Sequence, residues 1–346
     1  MIEYLKRIAK GEVLSFAQAQ HLMALVLDNS VRLEQVGAML GLLHSQKPTA
    51  ELLAGFASEL GKHRVSVPVS EGLLLRLVDV CGTGGDASGT FNVSTTVAFI
   101  AAAAGLPIAK HGNRAVSSLA GSFDVLEALG IGFVASAQEA SRALERDHLA
   151  FLYAPSFHPA LAKIGPIRKA LGFRTVFNAM GPLLNPAGVK RQLIGVYARE
   201  LVVPMAEALH LLGVSHAMVV HGDDGLDEIS TSAPTFIAQL NFGQIRTFSF
   251  APASLDIAKP HGEALKGGDA MQNAKIIEEI LSGEQGPRTD LVCVNAGAAL
   301  VVGALASDLA EGFSLAQKAQ RSGRALEVLR SLQTASFAAR PKGSRP

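Results

Sequence analysis

Two segments of this sequence bring together residue types suited to holding an anion. Cys81-Gly-Thr-Gly-Gly-Asp-Ala-Ser-Gly-Thr-Phe-Asn-Val-Ser-Thr95 sets glycines at 82, 84 and 85 among the donors Thr83, Thr90, Asn92, Ser94 and Thr95. Glycine lets a backbone turn sharply and aim its amides at a ligand. Ser94 is expected to cap the helix that follows, and helix N-termini attract anions. The segment reads as a phosphate cradle; a ligand-free connector is the plainer alternative. The ending of a Walker A loop is missing. The relaxed dinucleotide fingerprint is met only at Gly82, Gly84 and Ala87. That fingerprint also wants an acidic residue about 20 positions on, where this chain has Lys110-His111. Asp86 would repel a pyrophosphate unless a metal or a ribose hydroxyl stood beside it.

The second segment, Lys110-His-Gly-Asn-Arg-Ala-Val-Ser-Ser118 with Gly121-Ser122, supplies cations, an imidazole, an amide and hydroxyls. Each segment follows an expected strand. Parallel strands end on one sheet edge, where open α/β sheets bind ligands, so the two loops should face each other. A third cluster, His221-Gly-Asp-Asp-Gly-Leu-Asp-Glu-Ile229, holds carboxylates at Asp223, Asp224, Asp227 and Glu228. Spacing alone favours an ordinary acidic turn. Beside two anion loops, hard oxygen ligands also suit Mg²⁺, which takes one or two carboxylates plus phosphate and water. The spacing fits neither an EF-hand nor a zinc site.

These segments need a scaffold. Residues 1–66 read as a small helical bundle: Ser15 and Gln18 form a capping box before Ala17–Asp28, Val36 to Leu43 repeat at helical spacing, and Thr49 opens a further helix. Residues 67–337 alternate strand-like and helix-like runs. Strands are expected at Leu75–Cys81, Leu106–Ala109, Leu149–Tyr153, Ala217–Val220 and Leu291–Val294. Helices are expected at Ser94–Ala104, Val125–Leu129, from Ser136 to Asp147, Leu201–Leu212, Ala274–Leu281 and Gly297–Leu305, and a last one capped by Ser314. This alternation predicts an α/β fold: a small N-terminal helical-bundle domain plus a large domain with a mostly parallel sheet flanked by helices. The broken segment Phe157–Pro186 is expected to return to the bundle, through part of 160–186, or to line the cleft. Residues 338–346 read as a flexible tail.

Composition narrows the function. The 346 residues carry 31 Lys plus Arg against 30 Asp plus Glu, without the basic excess of a nucleic-acid wrapper. Cys81 and Cys293 sit in apolar runs, as free buried thiols of a reducing cytoplasm do. The opening residues show no signal-peptide core, and the longest apolar runs are too short to cross a bilayer.

The motifs taken together resemble the anthranilate phosphoribosyltransferase family over nearly the whole chain. They are Gly82-Thr-Gly-Gly-Asp86, Asn92-Val-Ser-Thr95, Lys110-His-Gly-Asn-Arg114, Gly172-Phe-Arg-Thr-Val-Phe-Asn178, Gly181-Pro-Leu-Leu-Asn-Pro186 and Asp227-Glu228, with Gly267-Gly-Asp-Ala270 and Asn273-Ala274. The resemblance implies attack of anthranilate on C1 of phosphoribosyl pyrophosphate (PRPP), a requirement for Mg²⁺, and a cytoplasmic homodimer joined through the helical domain. Neither a nucleic-acid nor a membrane partner is expected. By the same resemblance, PRPP contacts come from Gly82, Gly85, Asp86, Thr90, Asn92, Val93, Ser94, Thr95, Lys110, His111, Gly112, Asn113, Arg114, Ala115, Val116, Ser117, Ser118 and Ser122. Gly82, Asn113, His158 and Arg168 take anthranilate, and Ser94, Asp227 and Glu228 take the metal. No protein nucleophile is implied; Lys110 and Asp86 support the transition state. Ala87, Leu119 and Phe123 depart from the family pattern, and the bulk of Phe123 beside the phosphate loop is expected to alter affinity. A related pentosyltransferase acting on nucleosides, and a non-catalytic nucleic-acid-binding relative, are the competing readings.

Overall fold

Capping side chains define the first helices of the computed structural model, which describes all residues except 29, 87, 116–118, 135, 262 and 340–346. The chain opens with α1 (Ile2–Ala9), α2 (Phe16–Leu27), α3 (Leu33–His44) and α4 (Ala50–Lys62). Ser15 and Gln18 cap α2 reciprocally, and Thr49 Oγ1 accepts the Leu52 amide at the start of α4. Leu22, Met23, Met39, Leu40, Leu53 and Phe56 are fully buried between these helices.

The turn α5 (Glu71–Leu74) leads into the sheet. Its strands are β1 (Val78–Gly82), β2 (Ile108–Gly112), β3 (Leu149–Tyr153), β4 (Arg191–Gly195), β5 (His216–Gly222), β6 (Thr235–Asn241) and β7 (Gln244–Phe250). They lie in the order β3-β2-β1-β4-β5-β6-β7. The first five are parallel; β6 and β7 add antiparallel. Helices α6 (Val93–Ala103), α7 (Ser122–Ala128) and α8 (Ala137–Asp147) connect β1 to β3, and α11 (Val202–Leu211) connects β4 to β5. The C-terminal helices are α12 (Ala270–Leu281), α13 (Pro287–Val302), α14 (Leu309–Arg321) and α15 (Arg324–Ala339).

Successive strand residues point to opposite sheet faces. Val78, Val80, Met218 and Val220 therefore pack with the core of α6 and α13, whereas Cys81, Ala217 and Val219 face α11 and the bundle. Between β3 and β4 run α9 (Ala154–Phe157), α10 (Gly165–Leu171) and short single turns. Ile164, Val176, Phe177, Met180 and Leu184 of this stretch join the bundle core. It therefore bridges the bundle and the sheet.

Several local expectations differ from the structure. Leu291–Val294 is not a strand but the interior of α13, which runs on through Gly297 and is buried nearly all round. A short apolar run fits a central strand and a central helix equally well, and only packing decides. Ser314 caps nothing: Asp308 caps α14 by accepting the Glu311 amide at 2.9 Å, and the chain breaks at Ser322-Gly323 before α15. Ser94 is not the cap of α6; the helix opens at Val93 behind Asn92, which makes no side-chain cap bond. Phe123, expected beside the phosphate loop, is buried, its ring packed on Phe133 and Tyr153 and 3.4 Å from where a Cβ on Gly112 would stand. Leu119 is exposed; Ala87 lies outside the described residues.

Candidate active site

The loops after β1, β2, β4 and β5 meet at the C-terminal edge of the sheet. The cradle after β1 is tied down at several points. Thr83 donates its amide to the Gly195 carbonyl at 2.9 Å, and Thr83 Oγ1 accepts the Tyr197 amide at 3.0 Å. Gly84 donates its amide to Asp227 Oδ2 at 2.9 Å. Arg174 stacks on Tyr197 and donates to the Gly85 carbonyl at 3.0 Å. Gly82 leaves room for the Asp227 carboxylate, since a Cβ there would lie 2.6 Å from Asp227 Oδ2. On the far side of the cradle, Asn273 Nδ2 donates to Asn92 Oδ1 at 2.9 Å, and Asn92 Nδ2 donates to the Ala120 carbonyl at 3.2 Å.

The acidic cluster divides in two. Asp223 pairs with Arg199 at 2.8 Å, and Asp224 accepts the Ser230 hydroxyl at 2.6 Å; both hold the turn. Asp227 and Glu228 turn to the cradle. Burial and the Asp86 charge raise the Asp227 carboxyl to about 7. Burial and Asp227 push Glu228 well up, against the pull of Lys110 and the Ser94 amide. One oxygen of Asp86, Oδ2, is buried without a partner. No three metal-ligating side chains converge among the described residues. Neighbouring hard oxygens from Asp86, Asp227, Glu228 and Ser94, short of full protein coordination, suit a Mg²⁺ that keeps water and substrate phosphate as ligands.

Lys110 is buried, donating from Nζ to the Val80 carbonyl at 2.6 Å and to Ser94 Oγ at 3.0 Å. Of its donors, one hydrogen remains for a ligand. Thr95 is buried in the first turn of α6 with its hydroxyl unpartnered, beside Val93. Thr90 bonds Ser88 and bridges to Lys266. Past Gly112, the Asn113 carbonyl accepts from Ser122 Oγ at 3.1 Å, and Asp124 holds the Ala115 and Gly121 amides. Arg114 is engaged by Asp124 and Glu127, each at 2.9 Å, and lies over Phe133. Val116, Ser117 and Ser118 lie outside the described residues.

His111 and His158 form an edge-to-face pair with ring centroids 5.1 Å apart, each with a buried, unpartnered Nε2. Burial, reinforced by His158, depresses His111 to about 3; burial, reinforced by Arg64, depresses His158 to about 4. Both are neutral near pH 7. Arg168 on α10 is partly buried over the Phe177 ring, and desolvation lowers its pKa. Among the described residues it has no ion-pair partner.

Reading the sequence for ligands passed over Asp79, Arg174 and Asn185, and left Asn273 without a role. Asp79 carried a signal: one charge inside the apolar run Leu77–Cys81.

The chain matches the models of two protein domains: the helical bundle domain of a glycosyl transferase family over residues 2–63, and its a/b domain over 74–326. It is 43% identical over 328 residues to an anthranilate phosphoribosyltransferase of Rubrobacter xylanophilus, covering 94% of this chain and 95% of that one. With the Desulfatibacillum aliphaticivorans protein of the same name it shares 44% over 330 residues, 95% and 97% of the two chains. The Thermus thermophilus enzyme structure superposes with a TM-score of 0.88 at 36% identity, over 95% of this chain and 98% of its own. The Saccharomyces cerevisiae enzyme, solved in complex with PRPP and Mg, superposes with a TM-score of 0.87 at 28% identity, over 97% and 98%.

Proposed function

The chain belongs to the anthranilate phosphoribosyltransferase family, and we propose that it transfers the phosphoribosyl group of PRPP to anthranilate, releasing pyrophosphate, in tryptophan biosynthesis. The observation that carries this reading is the Gly84–Asp227 bond, which joins a phosphate-type loop to buried hard-oxygen ligands at one sheet edge.

Departure of pyrophosphate leaves an oxocarbenium-like C1, so the site has to stabilise a leaving anion and aim a nucleophile. The Gly85 amide of the Gly82–Gly85 loop, the N-terminus of α6 and the free hydrogen of Lys110 take the phosphates; Asn92, Asn113 and Ser122 complete the contacts. Ser94, Asp227 and Glu228 would hold Mg²⁺, with Asp86 beside them. Bound there, the metal would offset charge on the leaving pyrophosphate. Arg168, lacking a counter-ion, matches the anthranilate carboxylate, for which a guanidinium gives a bidentate pair. Neutral His111 and His158 line that side without adding charge, so the weakly basic aromatic amine keeps its lone pair for C1. The 1–66 bundle, joined by part of 160–186, and the 67–337 unit act as two domains of a cytoplasmic homodimer that binds no nucleic acid. No helix among the described residues is long and apolar enough to cross a membrane.

Loss of anthranilate fluorescence on mixing with PRPP and Mg²⁺ tests the reading. It should need all three components and vanish when Asp227 and Glu228 are both replaced by Ala. Turnover of a nucleoside with phosphate, or salt-sensitive DNA binding without turnover, would overturn it.

A further inference from the structure

The seam between β1 and β2 opens just where the two substrate loops begin. β1 pairs with β4 at five successive positions, and β2 pairs with β3 at five, but β1 and β2 register only at Val78↔Ile108. The following rungs of a parallel ladder would join the Val80 amide to the Ala109 carbonyl and the His111 amide to the Val80 carbonyl. The His111 amide and the Val80 carbonyl do not use each other. The His111 amide donates to Asp79 Oδ1 at 3.1 Å, and the Val80 carbonyl accepts from Lys110 Nζ at 2.6 Å. One rung earlier, the Ala109 carbonyl accepts from Asn185 Nδ2 at 2.8 Å. Three buried side chains thus take backbone groups along a seam that the main chain alone could have zipped. A carboxylate fully enclosed in a strand is costly unless its bonds serve something. Asp79 is 0% exposed, and its second oxygen, Oδ2, is buried without a hydrogen-bond partner among the described residues.

We propose that Asp79 is a positioning residue: its Oδ1 replaces the missing rung, holds β2 apart from β1 at the His111 amide, and so fixes the spacing between the cradle and the loop that starts at His111. The cradle has its own anchors at Gly195, Tyr197 and Asp227. The second loop is anchored beyond Gly112 by Ser122 and Asp124, but it starts at the seam, where His111 also meets the Gly181 carbonyl through its ring at 3.2 Å. Loss of the Asp79 acceptor should therefore fall more heavily on anthranilate, which meets Asn113 and the His111 side, than on PRPP. This inference rests on the functional reading above for its kinetic consequence, though not for the seam itself.

The test compares Asp79→Asn, Asp79→Ala and Asp79→Ser with the wild type by steady-state kinetics, thermal unfolding and hydrogen exchange at the His111 amide. Asn keeps an acceptor of the same reach, so D79N should retain slow exchange and near-normal KM values. D79A leaves a buried amide unpaired, and kcat/KM for anthranilate per folded molecule should fall about 10- to 100-fold, with faster exchange at His111. D79S, whose hydroxyl is too short to span the gap, should behave like D79A and stands in for it if alanine does not fold. The proposal is overturned if D79A or D79S melts earlier yet keeps wild-type KM values, or if D79N is as impaired as they are. A wild type without phosphoribosyl transfer would sink the functional reading alone, while the exchange comparison would still decide the seam.

Discussion

Replacing Gly195 by alanine puts one methyl against the backbone that carries the Asp227 and Glu228 carboxylates. Gly195 ends β4 directly beside Gly82. A Cβ there would stand 1.5 Å from the Asp227 main-chain oxygen and 2.4 Å from its carbonyl carbon. Ordinary contact lies near 3.5 Å, so the Asp227 backbone has to retreat by about 2 Å. It is not free to do so. The Ile229 amide donates to Asn295 Oδ1 at 2.8 Å, and the Ile229 carbonyl accepts from Asn295 Nδ2 at 2.9 Å, which ties the segment to α13. Overpacking ordinarily costs about 1–3 kcal/mol, and a methyl driven into main chain belongs at the upper end. In a domain of this size that lowers the unfolding midpoint by roughly 3–10 °C. Retreat of Asp227 also breaks its bond to the Gly84 amide and moves it from the place proposed for Mg²⁺, so half-maximal activity should need at least about tenfold more Mg²⁺, a change of about 1.4 kcal/mol. Gly82→Ala is the graded comparison. Its Cβ would meet only the Asp227 Oδ2 end, at 2.6 Å, which a side-chain rotation relieves. G82A should shift the Mg²⁺ dependence with little change in melting. Thermal melts together with Mg²⁺ titrations of the initial rate decide the matter. A G195A protein with wild-type melting and wild-type Mg²⁺ dependence would refute the placement of Asp227.

Other perturbations separate roles that a contact map runs together. Asn273→Leu removes the donor that fixes the Asn92 amide, and KM for PRPP should rise about tenfold or more while KM for anthranilate stays put; equal shifts in both would count against a role through Asn92. His158, depressed to about 4 by burial, stays neutral in the fold while the unfolded chain takes up a proton near pH 6.5. The unfolded state then holds the extra proton between about pH 6.5 and 4, so stability falls as pH drops through that window, by at most about 1.4 kcal/mol per pH unit. His158→Asn should flatten the slope of unfolding free energy against pH by that amount, and an unchanged slope would contradict a neutral buried imidazole. Phe123→Ala should cost about 3–5 kcal/mol of stability through a cavity beside Phe133 and Tyr153, with KM for PRPP unmoved; an altered KM would restore the expectation that its bulk acts on the phosphate.

Much of this molecule is local and therefore legible in its residues. The Ser15–Gln18 box and the Thr49 cap satisfy helix ends within four residues, so no distant partner is needed to foresee α2 and α4. The glycine run at 82 to 85 and the carboxylates at 227 and 228 declare their chemistry by type and order. Where the signal is apolarity alone, it is ambiguous. Leu291–Val294 has the composition of a strand, because burial nearly all round erases the periodicity that tells helix from strand; β4, β6 and β7 drew no expectation. Distance in sequence hides the rest. That Asp227 rather than Asp223 meets the cradle, 143 residues away from Gly84, follows from the strand order that sets β1 beside β4 and β4 beside β5. Asp79 shows the boundary plainly. The sequence announces a charge inside an apolar strand, but a lone buried carboxylate acquires meaning only from what it touches. The parting of β1 from β2, which leaves the His111 amide for Asp79 to accept, exists only once the sheet has formed.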